Sequence, residues 1–89
     1  MKITVKNSRV WKHVLIFLDD KLIKWPISAD EQHGVVLACT LNERGQPYLD
    51  EQKGEVVKHL LRGRVDIVLK PNTPEDVKEL YEKMRREHP

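Results

Sequence analysis

Asn42-Glu43-Arg44-Gly45-Gln46-Pro47-Tyr48-Leu49-Asp50-Glu51-Gln52-Lys53-Gly54 holds two polar turns in succession, each ended by a glycine. Only Gln46-Pro47-Tyr48-Leu49 separates them, and apolar, β-branched stretches flank the pair on both sides. A strand that goes out, a polar tip that reverses it and a strand that returns is the simplest reading. The first turn suits a type I turn with Gly45 in the bulge position. The segment between the turns is short and carries a proline, so it reads as the tip of a projecting arm at 42–54 and not as a central strand. Tyr48 and Leu49 are the only sizeable apolar side chains of that tip.

Upstream of the arm, residues 2–6 alternate, with Ile3 and Val5 on one side and Lys2, Thr4 and Lys6 on the other, the pattern of a half-buried strand. Residues 10–18 read as one strand. Val10, Lys12, Val14, Ile16 and Leu18 lie on one face and Trp11, His13, Leu15 and Phe17 on the other, so both faces are mainly apolar. Asp19-Asp20 is a tight-turn dipeptide, and residues 21–27 form a third strand that Pro26 ends or confines to an edge. Residues 28–34 read as a loop with one helical turn capped by Ser28, closed by Gly34 in a left-handed conformation. Residues 35–41 are a strong strand.

Downstream, two readings compete. Val56, Val57, Leu60 and Leu61 have helical spacing, with Asp50 as cap and Gly63 as terminator. Against this, Val57, His59, Leu61, Val65, Ile67 and Leu69 share one side of a strand running through Gly63, and a helix would have to hold Gly54 at a cost of about 1 kcal/mol. The favoured reading is a long strand kinked or bulged at Gly63. Thr73-Pro74-Glu75-Asp76 then opens a helix over 74–88, with Thr73 as N-cap. Val77, Leu80, Tyr81 and Met84 make its apolar stripe, Glu79–Lys83 and Glu82–Arg86 are pairs four apart, and Lys83, Arg85, Arg86 and His88 suit its negative end. The expected fold is α+β: a curved antiparallel sheet of about five strands over 1–69 and one C-terminal helix over 73–88, in a single domain.

A chain of 89 residues buries only about 60–65% of the surface its unfolded form exposes, so a partner or second copy could supply part of the core. Apolar residues at 39% and charged residues at 34% are a folded, soluble composition. No apolar run reaches the ~18 residues that span a membrane, and the first residues lack the pattern of a signal peptide. Cys39 is the only cysteine, which excludes an internal disulfide and points to a reducing cytoplasm. The net charge of +2, with acids and bases interleaved, lacks the basic excess of a typical nucleic-acid binder.

No constellation for catalysis stands out. The acid pairs Asp19-Asp20, Asp30-Glu31 and Asp50-Glu51 fall in expected turns, where carboxylates stay solvated and help bend the chain. His13 and His59 could share a sheet face, but neither they nor His33 and His88 have a metal-ligand spacing. Cys39 shares a side with Leu37 and Leu41 and reads as a small core residue. These readings lead us to expect no enzyme activity, no cofactor and no metal.

Between 18 and 68 the chain has Leu18-Asp19-Asp20, Ala29-Asp30…Gly34-Val35, Asn42-Glu43-Arg44-Gly45-Gln46-Pro47-Tyr48-Leu49-Asp50 and Gly63-Arg64-Val65-Asp66-Ile67. This pattern resembles short proteins encoded by tailed phages and prophages. It covers just over half the chain, and departs from the pattern in the extra Lys53 and in the helix that lies outside it. The resemblance implies a genetic setting, with host cytoplasm or virion as location, and no activity. The expected function is that of a small non-enzymatic interaction or assembly protein. Self-association, most often as a dimer, would use Trp25 or the stripe Val77, Leu80, Tyr81 and Met84, and the arm residues Arg44, Tyr48 and Leu49 are further contact candidates. Single-stranded nucleic acid is the alternative partner, with Trp11 and Trp25 stacking on bases beside Lys12, Lys21 and Lys24.

Overall fold

The computed structural model describes residues 1–87, which form β1 (Lys2–Thr4), α1 (Ser8–Trp11), β2 (Val14–Leu18), β3 (Lys21–Leu22), β4 (Pro26–Asp30), β5 (Val35–Cys39), β6 (Leu49–Asp50), β7 (Glu55–Val56), β8 (Lys58–Arg62), β9 (Val65–Leu69) and α2 (Glu75–Glu87). The class is the α+β expected, but the strands divide among three antiparallel sheets where one curved sheet was foreseen. A four-stranded sheet has the order β1-β4-β5-β8, a three-stranded sheet β3-β2-β9, and β6 pairs with β7.

Alternation places one face of each larger sheet inside. Ile3, Ala29, Val36 and Ala38 from the first sheet and Val14, Ile16, Val65 and Ile67 from the second join Val10 of α1 and Val77 and Tyr81 of α2 in one core. Between Cys39 and Leu60 no residue belongs to that core. The molecule measures 41 × 24 × 21 Å.

Two corners explain why a single sheet does not form. The first is 23–25, between β3 and β4. Trp25 takes a positive φ of 57°, which a bulky residue rarely adopts, and Pro26 begins the next strand in the other sheet. The expected strand over 21–27 is therefore two strands in two sheets. The expected loop over 28–34 is mostly strand, because Ser28, Ala29 and Asp30 pair with both β1 and β5. Its closing Gly34 is left-handed as expected, with φ 65°. The second corner is Gly63. A Cβ there would lie 2.6 Å from Asp19 Oδ2. Only glycine lets the Asp19 carboxylate approach and accept the Arg64 N–H at 2.9 Å, while Asp19 N–H donates to the Arg64 carbonyl at 2.9 Å. The strand reading of 55–62 thus holds over the helical one, but the strand does not run on through Gly63. It changes sheet there.

The segment 10–18 is also divided. Residues Ser8–Trp11 form a helical turn, and only Val14–Leu18 is strand, central in its sheet as its two apolar faces implied. Asp19 and Asp20 have φ of 50° and 67°, the left-handed pair that a two-residue hairpin loop requires between Leu18 and Lys21. The core face of β5 is Val36 and Ala38, so Cys39 lies on the opposite, half-buried face and is not the core residue anticipated.

The twin turn forms as read. Asn42 Oδ1 accepts from the N–H groups of Arg44 and Gln46, Asp50 Oδ1 from those of Gln52 and Lys53, and Gly45 and Gly54 are left-handed. The segment between the turns is not a loose tip. The β5–β8 ladder opens beyond the Thr40–Val57 bond, and residues 46–50 enter the gap. There Leu41 bridges Pro47 on one side, while Val57 N–H donates to the Tyr48 carbonyl and Leu49 faces Val56 on the other. Pro47 is tolerated because the neighbouring Gln46 carbonyl carries the bond to Asn42 N–H.

In α2 the stripe folds back onto the sheets: Val77 and Tyr81 are buried at 5% and 8% exposure, and Leu80 and Met84 pack against the same core. Thr73 does not cap through its side chain. Its hydroxyl donates to the Lys70 carbonyl at 2.6 Å. The ion pairs along the helix are Glu75–Lys78 and Lys83–Glu87, both at 4.0 Å, in place of those foreseen from spacing. His88, expected at the helix end, lies outside the described residues.

Candidate interaction surface

The outermost strands of the two larger sheets are β1, β8, β3 and β9, and their outward backbone groups meet different fates. An unpaired edge is a template for another strand. Hydrogen-bond parity identifies the outward residues.

On β9 the outward residues are Val65, Ile67 and Leu69, because the cross-strand neighbour Ile16 of the central one turns its carbonyl to Ile23 N–H; side chains meet Ile67. Ile67 N–H donates to Glu31 Oε2 at 3.2 Å. Its carbonyl accepts from Tyr81 Oη at 2.7 Å and from Arg85 Nη2 at 2.9 Å. Arg85 also donates from Nε to Tyr81 Oη at 2.8 Å and from Nη2 to Glu31 Oε2 at 3.1 Å, and its guanidinium lies 5.1 Å from the Tyr81 ring centroid. Glu31 Oε1 sits 3.1 Å from Arg85 Nη1 and 3.8 Å from the Met1 amino group, near enough for charge attraction but not aligned for a hydrogen bond. Partial burial opposes the Arg85 charge, but the hydrogen bonds to Glu31 and Tyr81 outweigh it and raise the pKa above the ordinary arginine value. Three side chains, one from the turn after β4 and two from α2, thus close the middle of the β9 edge.

On β1 the outward residues are Lys2 and Thr4, since Met1 and Val5 bond toward β4. Asn7 closes Thr4 completely: its Oδ1 accepts Thr4 N–H and its own N–H donates to the Thr4 carbonyl, both at 2.9 Å. The strand β3 presents one outward residue, Leu22, before the chain turns the corner.

The remaining edge is different. Gly63 N–H donates to Gly34, Thr40 N–H to Val57, and Val57 N–H to Tyr48, so the odd-numbered residues of β7 and β8 face inward. Val56, Lys58, Leu60 and Arg62 face out, and among the described residues no hydrogen bond meets their outward N–H and C=O groups. Their side chains share one face, on which Leu60 is 57% and Val56 37% exposed. Against them on the same sheet face lie the half-buried Val35, Leu37 and Cys39.

The residues singled out from sequence are scattered around this edge. Tyr48 and Leu49, exposed at 42% and 59%, lie on the inserted strand next to β7, and Arg44 is exposed on the first turn. Trp25 is 55% exposed at the first corner, next to the exposed Lys24. Trp11, in α1, is half-buried against the core, and neither tryptophan sits in a strand. Lys12 and Lys21 are exposed on separate elements. Val77 and Tyr81, also contact candidates, have their side chains buried in the core. Leu80 and Met84 border an open groove of about 880 Å³ with Arg9, Val10, Asp30 and His33.

The polar groups considered for chemistry do not converge. His13 precedes a strand of one sheet and His59 lies in the other, so they share no face. His59 Nδ1 is 2.8 Å from Thr40 Oγ1. The Asp20 carboxylate is paired with the Arg64 guanidinium, which also lies 3.4 Å from Asp66. The hydrogen bond and charge of Asp20, joined by Asp66, raise the Arg64 pKa. Asp30 is partly buried, which pushes its pKa up. Hydrogen bonds from the His33 backbone and ring at 3.1 and 2.8 Å overcome this and hold it below 3.8. No group of three or more His, Cys, Asp or Glu placed to hold a metal occurs among the described residues, and none of their helices is long and apolar enough to cross a membrane.

Comparison with protein-family models, with curated proteins and with solved structures found no match to this chain.

Sequence reasoning did not single out Asn7, Glu31, Arg85 or Leu60, which decide where a strand edge is met or left open. Glu31 and Arg85 meet across 54 residues of chain, a pairing no local pattern announces. The strand reading put Val56, Lys58, Leu60 and Arg62 opposite the apolar side of Val57, Leu61 and Val65, but nothing local marks their strand as outermost.

Proposed function

We propose that this protein is a non-enzymatic interaction or assembly protein that binds another protein along the open edge of β7 and β8. The observation that carries this reading is the contrast among edges: side chains close the middle of β9 at Ile67 and β1 at Thr4, β3 is two residues long, and among the described residues the edge from Val56 to Arg62 is the longest run of outward backbone groups that nothing meets. A strand added there would gain backbone hydrogen bonds at four outward residues and cover Leu60 and Val56. Tyr48, Leu49 and Arg44 on the adjoining arm would flank it. The phage-like pattern suits an assembly partner or a host protein.

Single-stranded nucleic acid has less support. Trp11 is largely used in packing, and the two tryptophans occupy a helical turn and a corner, so they build no stacking platform on a sheet. Self-association through the α2 stripe is likewise weakened by the burial of Val77 and Tyr81.

A photo-crosslinking amino acid in place of Leu60 tests the reading in lysate of the native host. The expected result is a discrete protein adduct that survives nuclease and is not formed from the same group in place of Glu79 on the exposed face of α2. Adducts that vanish with nuclease, or none above the Glu79 control, would overturn it.

A further inference from the structure

The outward side chains of the open edge alternate in character: Val56 apolar, Lys58 basic, Leu60 apolar, Arg62 basic. In an antiparallel pair, residues directly opposite share a face with Cβ atoms about 4.5–5.5 Å apart, so a partner strand must match this alternation. We infer that the edge from Val56 to Arg62 accepts an antiparallel strand of the pattern acid-x-apolar-x-acid-x-apolar from a different protein, and rejects a second copy of this chain. The inference rests on the proposed interaction function and names the partner's chemistry.

Charge complementarity carries the choice of occupant. Lys58 and Arg62 are exposed, and among the described residues neither side chain has a carboxylate in salt-bridge range. Acids opposite them would form cross-strand pairs on either side of Leu60, while the intervening apolar residues cover Leu60 and Val56 beside Leu37. A second copy fails in every antiparallel register that pairs three or more of these residues. Leu60 opposite Leu60 sets Lys58 against Arg62 twice. Lys58 opposite Lys58, or Arg62 opposite Arg62, repeats the repulsion. The register that pairs all four outward residues sets each apolar side chain against a charge. Basic residues on an edge strand are a known defence against self-pairing, and here the same residues select an acidic partner.

The geometry also fixes which backbone bonds form. Leu60 presents both N–H and C=O outward, so the apolar residue opposite it would exchange two hydrogen bonds with it. A peptide Glu-Thr-Val-Thr-Glu-Thr-Val, labelled for fluorescence anisotropy, places its first Val opposite Leu60 and its acids opposite Arg62 and Lys58.

Titrated with the 89-residue chain at low salt, this peptide should bind saturably and weaken as salt is added. Replacing both Glu by Lys should weaken binding at least about tenfold, as should N-methylation of the first Val, which removes one backbone donor and leaves charge unchanged. The double variant Lys58→Glu/Arg62→Glu, checked for an unchanged fold by circular dichroism, should reverse the preference and bind the lysine peptide. Absence of saturation, equal binding of acidic and basic peptides, indifference to N-methylation, or an unreversed preference would each overturn the inference. So would dimerisation in sedimentation experiments that the double variant abolishes. A protein adduct at Leu60 that excess acidic peptide fails to suppress would defeat this inference and leave the interaction reading intact, whereas a peptide that binds while no host protein crosslinks would do the reverse.

Discussion

β8 and β9 are consecutive strands of five residues, separated by Gly63 and Arg64, and each ends its own sheet. Their edges are opposites. At β9, Glu31, Tyr81 and Arg85 satisfy both outward backbone groups of Ile67, and the last turns of α2 lie against the strand. At β8 no element of the described residues lies over the edge, and Leu60 and its neighbours face solvent with side chains alternately apolar and basic. The difference teaches that edge closure here is a tertiary event. A strand is closed where another element brings the right donors and acceptors to it, and α2 reaches only one of the two.

Disrupting the closed edge should have the largest effect. Tyr81→Ala removes a core side chain and the hydroxyl that bridges Ile67 and Arg85, and should cost about 3–5 kcal/mol in denaturant unfolding. Tyr81→Phe isolates the hydroxyl, and should cost about 1–2 kcal/mol because Arg85 Nε loses its acceptor. Equal stability of Tyr81→Phe and the wild type would mean that the closure at Ile67 is ornamental.

Next comes the point where the open strand meets its neighbour. Gly34 is left-handed, and a Cβ there would stand 2.5 Å from the Gly63 carbonyl. Gly34→Ala should destabilise by about 2 kcal/mol and disturb the end of β8 at Arg62, read as amide shifts in NMR spectra. On the open edge itself, Lys58→Glu/Arg62→Glu should change stability by no more than about 0.5 kcal/mol, since both side chains are exposed and engage no partner among the described residues. A large loss would mean that the edge is structural.

The smallest effect is one of pH. Asp30 holds the 31–34 turn through His33, and that turn delivers Glu31 to Ile67. Because its folded pKa lies below the ordinary 3.8, its contribution is complete above 3.8 and is lost as pH falls through the lower folded value. Stability of the wild type should therefore fall more steeply below pH 3.8 than that of Asp30→Asn. Parallel profiles would remove Asp30 from the account.

Much of this architecture was legible in the chain, because it rests on local chemistry. Asp19-Asp20, Gly45 and Gly54 announce turns by the backbone conformations they tolerate, and the stripe of Val77, Leu80, Tyr81 and Met84 announces α2. The corners were less legible. Trp25 is left-handed against its own preference, and Gly63 reads as a bulge or a helix end, its change of sheet showing only when Asp19 is placed beside it. The interaction surface was hardest to read. Arg44, Tyr48 and Leu49 were singled out because a turn pattern marks an arm, whereas Leu60 looked like core on the helical reading and fell outside the apolar side of the strand reading. Its exposure follows from β8 being outermost, which is a fact of topology. Glu31 looked like a solvated turn acid because its partners Arg85 and Ile67 are remote in sequence.

Amide hydrogen exchange on the free protein compares the edges most directly. The outward amides of Lys58, Leu60 and Arg62 should exchange near their unstructured rates, while those of Ile67 and Thr4, outward on their own strands, should be slowed at least about a hundredfold by Glu31 and Asn7. Protection of Leu60 equal to that of Ile67, or exchange of Ile67 as fast as that of Leu60, would contradict the claim that one edge is closed and the other open.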